Sequence, residues 1–161
     1  MNKAKNLTIT ILILLLSCLF GYLNATRVGQ SFFGKPPTNT EEKLLAARKE
    51  LNKNIPLIDY NSAKKIFEDN SKIFIDARHK EEFDKGHIED AISLPQQSVE
   101  KALPEFLQKY NFEFPFVVYC GGLDCSASVQ LANLLYDRGY RNLEVYAGGW
   151  EEWKKHQLEK K

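Results

Sequence analysis

At 161 residues, with 43% hydrophobic and 27% charged side chains, the chain has the size and composition of one globular domain. These values exclude wholesale disorder, collagen-like repeats and a polytopic membrane protein, and three cysteines without a Cys-x-x-Cys pairing exclude a disulfide scaffold or a zinc ribbon. The net charge of +1 hides an asymmetry: residues 1–54 carry eight Lys/Arg against three Asp/Glu, and residues 55–161 carry fourteen against eighteen. The acidic C-terminal part argues against nucleic-acid binding, which wants a basic surface.

Lys3 and Lys5 precede an uncharged run from Leu7 to Leu23, which as a helix would be about 26 Å long. The run shows no polar face, as a soluble helix of this length would. Residues 1–26 therefore read as a transmembrane anchor, with the membrane contact at residues 7–25. Two alternatives stay open. One is a signal peptide cleaved after Ala25, although Leu23 and Asn24 spoil the small-x-small pattern. The other is a lipoprotein on Cys18, although Leu19 to Leu23 continue the apolar run. Lys3, Lys5 and the amino terminus outweigh Arg27 and Lys35, so the rest of the chain is expected outside the cytoplasm.

Residues 27–54 read as a linker and a short helix. Gly29, Gly34, Pro36 and Pro37 break any regular structure. Thr38 or Asn39 then caps a helix with Glu41 and Glu42 in its first turn and a stripe of Leu44, Leu45, Arg48 and Leu51. It either packs on the domain or spaces it from the membrane, and no chemistry is visible on it.

From Ile55, short apolar runs alternate with helical stretches. Strands are expected at 55–59, 72–77, 91–94, 116–120 and 143–146. Helices are expected at 61–68, 103–110, 126–138 and from Gly149 onward. Alternating strand and helix predicts an α/β fold with a parallel sheet covered by helices on both faces. Ligands in such folds sit beyond the carboxyl ends of strands. Two segments qualify: Asp76 to His79, and the loop Cys120, Gly121, Gly122, Leu123, Asp124, Cys125.

A cysteine between a buried strand and a helix start faces unpaired N–H groups that favour a thiolate, so the Cys120 thiol is expected to be acidified. Gly121 and Gly122 let successive N–H groups turn inward as an anion cradle. A buried cysteine beside an ordinary turn is the bland alternative.

Residues 55–157 resemble the rhodanese-like family. The resemblance rests on IDAR (75–78), EF (82–83), GHIEDAISLP (86–95), VVYCGG (117–122) and YAGGWEEW (146–153). It implies a five-stranded parallel sheet and a sulfurtransferase in which Cys120 carries sulfane sulfur as a persulfide. It makes Asp76 and Arg78 a structural ion pair at the edge of the site. His87 becomes a hydrogen-bonding residue in a turn, and Trp150 and Trp153 become core residues of the last helix. His79 and His156 are expected to face solvent, and residues 158–161 form a charged tail. No metal or organic cofactor is implied. The partners are a sulfur donor and a thiol or protein acceptor.

The loop departs from the family. Many members carry an arginine there for an anionic donor; this loop has Asp124, which either repels thiosulfate or caps the following helix. Ser126 stands where phosphatase relatives need arginine, which disfavours phosphate-ester hydrolysis. Cys125 opens a second class of function, a Cys120/Cys125 dithiol that exchanges disulfides or resolves the persulfide by releasing sulfide. Against the disulfide, a loop curled round a persulfide is expected to hold its ends too far apart. Packing in the first helical turn is the bland reading of Cys125. A non-catalytic binding module is the third class.

Overall fold

A computed structural model of the chain describes residues 39–158. The expected membrane segment, most of the linker and residues 159–161 lie outside the described residues. Within the described residues, no helix is long and apolar enough to cross a membrane.

Helix α1 (Asn39–Glu50) has Glu41 and Glu42 in its first turn and Arg48 and Lys49 in its last, the arrangement its dipole favours. It belongs to the same compact unit as the domain. Leu44, Ala47 and Leu51 face inward, and Leu51 is buried. The expected stripe is corrected at Leu45, which is 57% exposed. Ala47 takes its place because it lies three residues from Leu44 and four from Leu51, on one helical face. Arg48 donates to the carbonyls of Ile55 at 2.7 Å and Lys53 at 2.9 Å. Asn133 receives the Asn52 N–H at 2.8 Å and donates to the Glu50 carbonyl at 2.9 Å. These bonds tie the end of α1 to the domain.

The remaining elements are β1 (Leu57–Ile58), α2 (Tyr60–Glu68), β2 (Ile73–Asp76), α3 (Lys80–Lys85) and β3 (Ile92–Ser93). A 3-10 turn (Gln96–Ser98) then leads into α4 (Val99–Lys109), followed by β4 (Phe116–Tyr119), α5 (Ala127–Asp137), β5 (Leu143–Tyr146) and α6 (Gly149–Leu158). The five strands form one sheet in the order β1-β5-β4-β2-β3, and every pairing is parallel. The expected α/β sheet is therefore observed.

Two helix expectations also differ from the structure. Helix α3 was not anticipated, because six residues with Phe83 as the sole apolar side chain carry no readable period. Helix α4 begins before Pro104 rather than after it. Val99, Leu103 and Phe106 are buried along it, and their packing outweighs the backbone hydrogen bond that proline forfeits.

Strand β4 is central and wholly buried. Phe116, Val118 and Cys120 face the core formed with α4 and α5, whereas Val117 and Tyr119 face the core around Ala63, Ile88 and Trp153. This alternation puts Cys120 at the carboxyl end of the middle strand, on the α5 side.

Candidate active site

Cys120 is 2% exposed. Its thiol donates to the Cys125 carbonyl at 3.0 Å and lies 3.7 Å from the Gly122 carbonyl. Ser128 Oγ, in the first turn of α5, donates to Cys120 Sγ at 3.3 Å. The loop closes with the Cys125 N–H on the Gly122 carbonyl at 3.0 Å. Its outer side is fixed by α6: the N–H of Trp150 donates to the Cys120 carbonyl at 2.8 Å, and that of Glu151 to the Gly121 carbonyl at 2.8 Å. Two otherwise unpaired N–H groups of a helix start are thus satisfied by the loop backbone.

The thiolate expected at Cys120 is placed elsewhere. Contact with Cys125, and then burial, push the Cys120 thiol above the ordinary range, and two carbonyl oxygens face its sulfur. Cys125 is half-buried, and its thiol is lowered to about 6. Its hydrogen bond with Cys120 is the main cause, and the backbone N–H groups of Gly121 and Ala127 add to it. The loop does gather N–H donors round a sulfur, as Gly121 and Gly122 predict, but round the second cysteine.

Asp124 does not cap α5, which corrects the alternative given for it. The residue preceding α5 is Ser126, and its side chain makes no capping bond. Asp124 instead points outward and receives Lys43 Nζ on its two carboxylate oxygens at 2.6 and 2.7 Å. Lys43 lies on α1, where the sequence shows no chemistry. Beside this pair, Cys125 opens on a cleft of about 210 Å³ lined also by Ala47, Leu123 and Val129. On the other side of Leu123, a larger cleft of about 610 Å³ runs between α1 and the β1 edge, lined by Leu44, Leu57, Ile58 and Ala147.

Asp76 is fully buried and receives Arg78 Nη2 at 2.6 Å, Arg78 Nε at 3.0 Å and the Arg78 backbone N–H at 2.9 Å. Arg78 also donates to the Gly86 carbonyl at 2.8 Å and lies 5.4 Å from the centre of the Trp150 ring. The pair braces the loop after β2 against α6. His87 stacks on Phe83 and bonds its carbonyl through Nδ1 at 2.9 Å. Trp153 is buried, while Trp150 is partly buried and covers Gly86 and Arg78. His79 is exposed; His156 is not free in solvent but stacks on Tyr60 at 3.8 Å. Among the described residues, no cluster of three His, Cys, Asp or Glu could hold a metal ion.

A cysteine at the end of the central parallel strand, in a loop pinned by the final helix, is accompanied by a match of the rhodanese-like domain profile to residues 59–156. The chain belongs to the rhodanese-like domain family. Within it, this rhodanese-like protein is similar to single-domain sulfurtransferases. A Schizosaccharomyces pombe protein provisionally named a mitochondrial thiosulfate sulfurtransferase is 34% identical over 114 residues, covering 63% of this chain and 79% of the relative. The thiosulfate sulfurtransferase GlpE of Coxiella burnetii is 31% identical over 84 residues, covering 52% of this chain and 73% of the relative. The human single-domain sulfurtransferase TSTD1 superposes with a TM-score of 0.55 at 24% identity, covering 62% of this chain and 96% of that one. The Saccharomyces cerevisiae single-domain sulfurtransferase RDL2 gives 0.55 at 19% identity, covering 63% and 90%. At these identities the two structures speak for the fold alone.

Three contributors to the rhodanese-like site escaped the sequence reading: Lys43, Ser128 and the backbone N–H of Trp150. Ser128 had a signal. It shares the buried stripe of α5 with Leu131 and Leu135, and a polar residue there needs a partner.

Proposed function

We propose that the protein transfers sulfane sulfur through a persulfide on Cys120. The Cys120 sulfur attacks the sulfane sulfur of a donor. The donor's sulfur bond breaks and its remainder leaves with the electron pair. The resulting persulfide passes its outer sulfur to a nucleophilic acceptor, and Cys120 departs as thiolate. This is covalent catalysis by a thiol. One observation carries the reading: Cys120 ends the central strand inside a loop whose backbone is held by α6, with Ser128 donating to its sulfur. Among the described residues, Lys43 stands at the loop rim paired with Asp124, and Arg78, whose stem lies near Gly121, is paired with Asp76. Neither cation is left free for thiosulfate, so a polysulfide or a protein-bound persulfide suits the site as well as thiosulfate does. Mass spectrometry of the loaded protein tests the reading. The parent or its Cys125→Ser variant gains one sulfur that cyanide removes as thiocyanate, and Cys120→Ser gains none; cyanide-labile sulfur on Cys120→Ser overturns it.

The same proposal places the domain outside the cytoplasm, anchored through residues 7–25. The uncharged run from Leu7 and the flanking Lys3 and Lys5 support this. Full-length protein is expected in the membrane fraction, with its C-terminal domain protected from protease in intact cells and digested in spheroplasts. Recovery of the full-length chain in the cytosol overturns it.

A further inference from the structure

We infer that Cys125 is a resolving thiol: it attacks the Cys120 persulfide at its inner sulfur, releases sulfide and leaves a Cys120–Cys125 disulfide. This deepens the proposed sulfur transfer and rests on it.

Three observations point to this step. First, both cysteines are free, and the loop brings the Cys120 sulfur onto the backbone of Cys125. The Cys120 sulfur lies 3.0 Å from the Cys125 carbonyl, and a turn from Gly122 to Cys125 folds the loop back on itself. Second, the polar surroundings of the two sulfurs are opposite. Cys120 faces the carbonyl oxygens of Gly122 and Cys125, which favour its protonated form. Cys125 faces the N–H groups of Gly121 and Ala127, which favour its thiolate. Third, access is opposite as well. Cys120 is 2% exposed, whereas Cys125 lines the cleft beside Leu123.

The sequence of events balances. As Cys120 attacks the donor, its proton moves to the neighbouring Cys125 thiolate, leaving Cys120–S–S⁻ and Cys125–SH. The Cys125 proton then passes to the outer sulfur. The Cys125 sulfur attacks the inner sulfur, the persulfide bond breaks, and the outer sulfur departs as HS⁻. One disulfide is formed between the cysteines and one sulfane sulfur is reduced to sulfide. A dithiol reductant resets the pair by attacking from the open cleft at Cys125, becoming a disulfide itself. The proton acceptor and the resolving nucleophile are the same residue, so no further acid or base is required.

The full-length chain in detergent, loaded with inorganic polysulfide and desalted, tests this. The parent is expected to release one equivalent of sulfide without added acceptor. It then becomes two hydrogens lighter than the reduced protein, with peptide mapping placing the disulfide between Cys120 and Cys125. Cys125→Ser is expected to hold the extra sulfur at least about tenfold longer, because the intramolecular attacker is gone. Cys125→Ala, checked by thermal unfolding, is expected to do the same. If the parent keeps its sulfur as long as both variants and no Cys120–Cys125 disulfide maps, the resolving role is overturned while sulfur transfer stands. If neither the parent nor the variants ever gain sulfur and no disulfide forms, both fall together.

Discussion

The backbone N–H of Trp150 donates to the carbonyl of Cys120 at 2.8 Å. The last helix thereby grips the backbone of Cys120. This grip depends on Gly149, whose φ is +59° and whose missing Cβ would sit 2.4 Å from the Cys120 carbonyl oxygen. No flexible side chain can yield there, because the obstructing atoms are backbone.

Gly149→Ala is therefore expected to move the loop off α6. Left-handed backbone at a non-glycine residue costs about 1–2 kcal/mol, and the clash adds to it. Thermal unfolding should report the lower stability, and loading with cyanide-labile sulfur should slow. A variant that matches the parent in both measurements would show that the loop does not need this contact.

Asp76 and Arg78 make a different prediction. Both are buried and each satisfies the other, so removal of one partner strands a charge. Arg78→Met is expected to destabilise the fold by about 3–5 kcal/mol. The double variant Asp76→Leu, Arg78→Met should recover much of that loss. Denaturant unfolding of the three proteins decides this; a double variant no more stable than Arg78→Met would mean that the ion pair matters through its bond to Gly86 rather than through charge balance.

The sheet was readable in the sequence because its strands are buried on both faces and read as unbroken apolar runs. Phe116 to Tyr119 and Leu143 to Tyr146 match their expected positions within a residue. The cysteine loop was readable because two glycines follow Cys120 between a strand and a helix. What stayed hidden depends on contacts distant in sequence. Lys43 meets Asp124 across 81 residues, and nothing on α1 marks it. The thiolate was misplaced for a related reason. Spacing puts Cys120 beside a helix start, but only three-dimensional placement reveals that its sulfur faces carbonyls while Cys125 takes the N–H groups.

Lys43 and Asp124 should act on donor choice more than on stability. Their pair is solvent-exposed on the Asp124 side, so its loss costs roughly 0–1 kcal/mol. Lys43→Ala leaves Asp124 uncompensated at the loop rim. Loading from thiosulfate is expected to slow more than loading from an uncharged organic trisulfide, and the difference should shrink as salt is added. Asp124→Asn should act in the opposite sense, since it frees Lys43. Equal effects on both donors would remove the electrostatic account.

The order in which the two thiols ionise gives the last prediction. Cys125 is held down to about 6, so it is largely thiolate above that pH and thiol below it. Cys120 is held above the ordinary thiol range by contact with Cys125 and by burial. Iodoacetamide should therefore modify Cys125 first, with a rate that rises as pH passes upward through about 6 and then levels. Cys120 should stay unmodified across that window. Cys125→Ser removes the main cause of the Cys120 shift, so the remaining thiol should ionise at lower pH than Cys120 does in the parent. Burial persists in the variant, which keeps its ionisation above that of an exposed cysteine. Ultraviolet thiolate absorbance against pH follows both groups, and peptide mapping of the alkylated protein assigns them. If Cys120 is alkylated first at neutral pH, the proton sits on Cys125 instead, and the order of the two thiols is reversed.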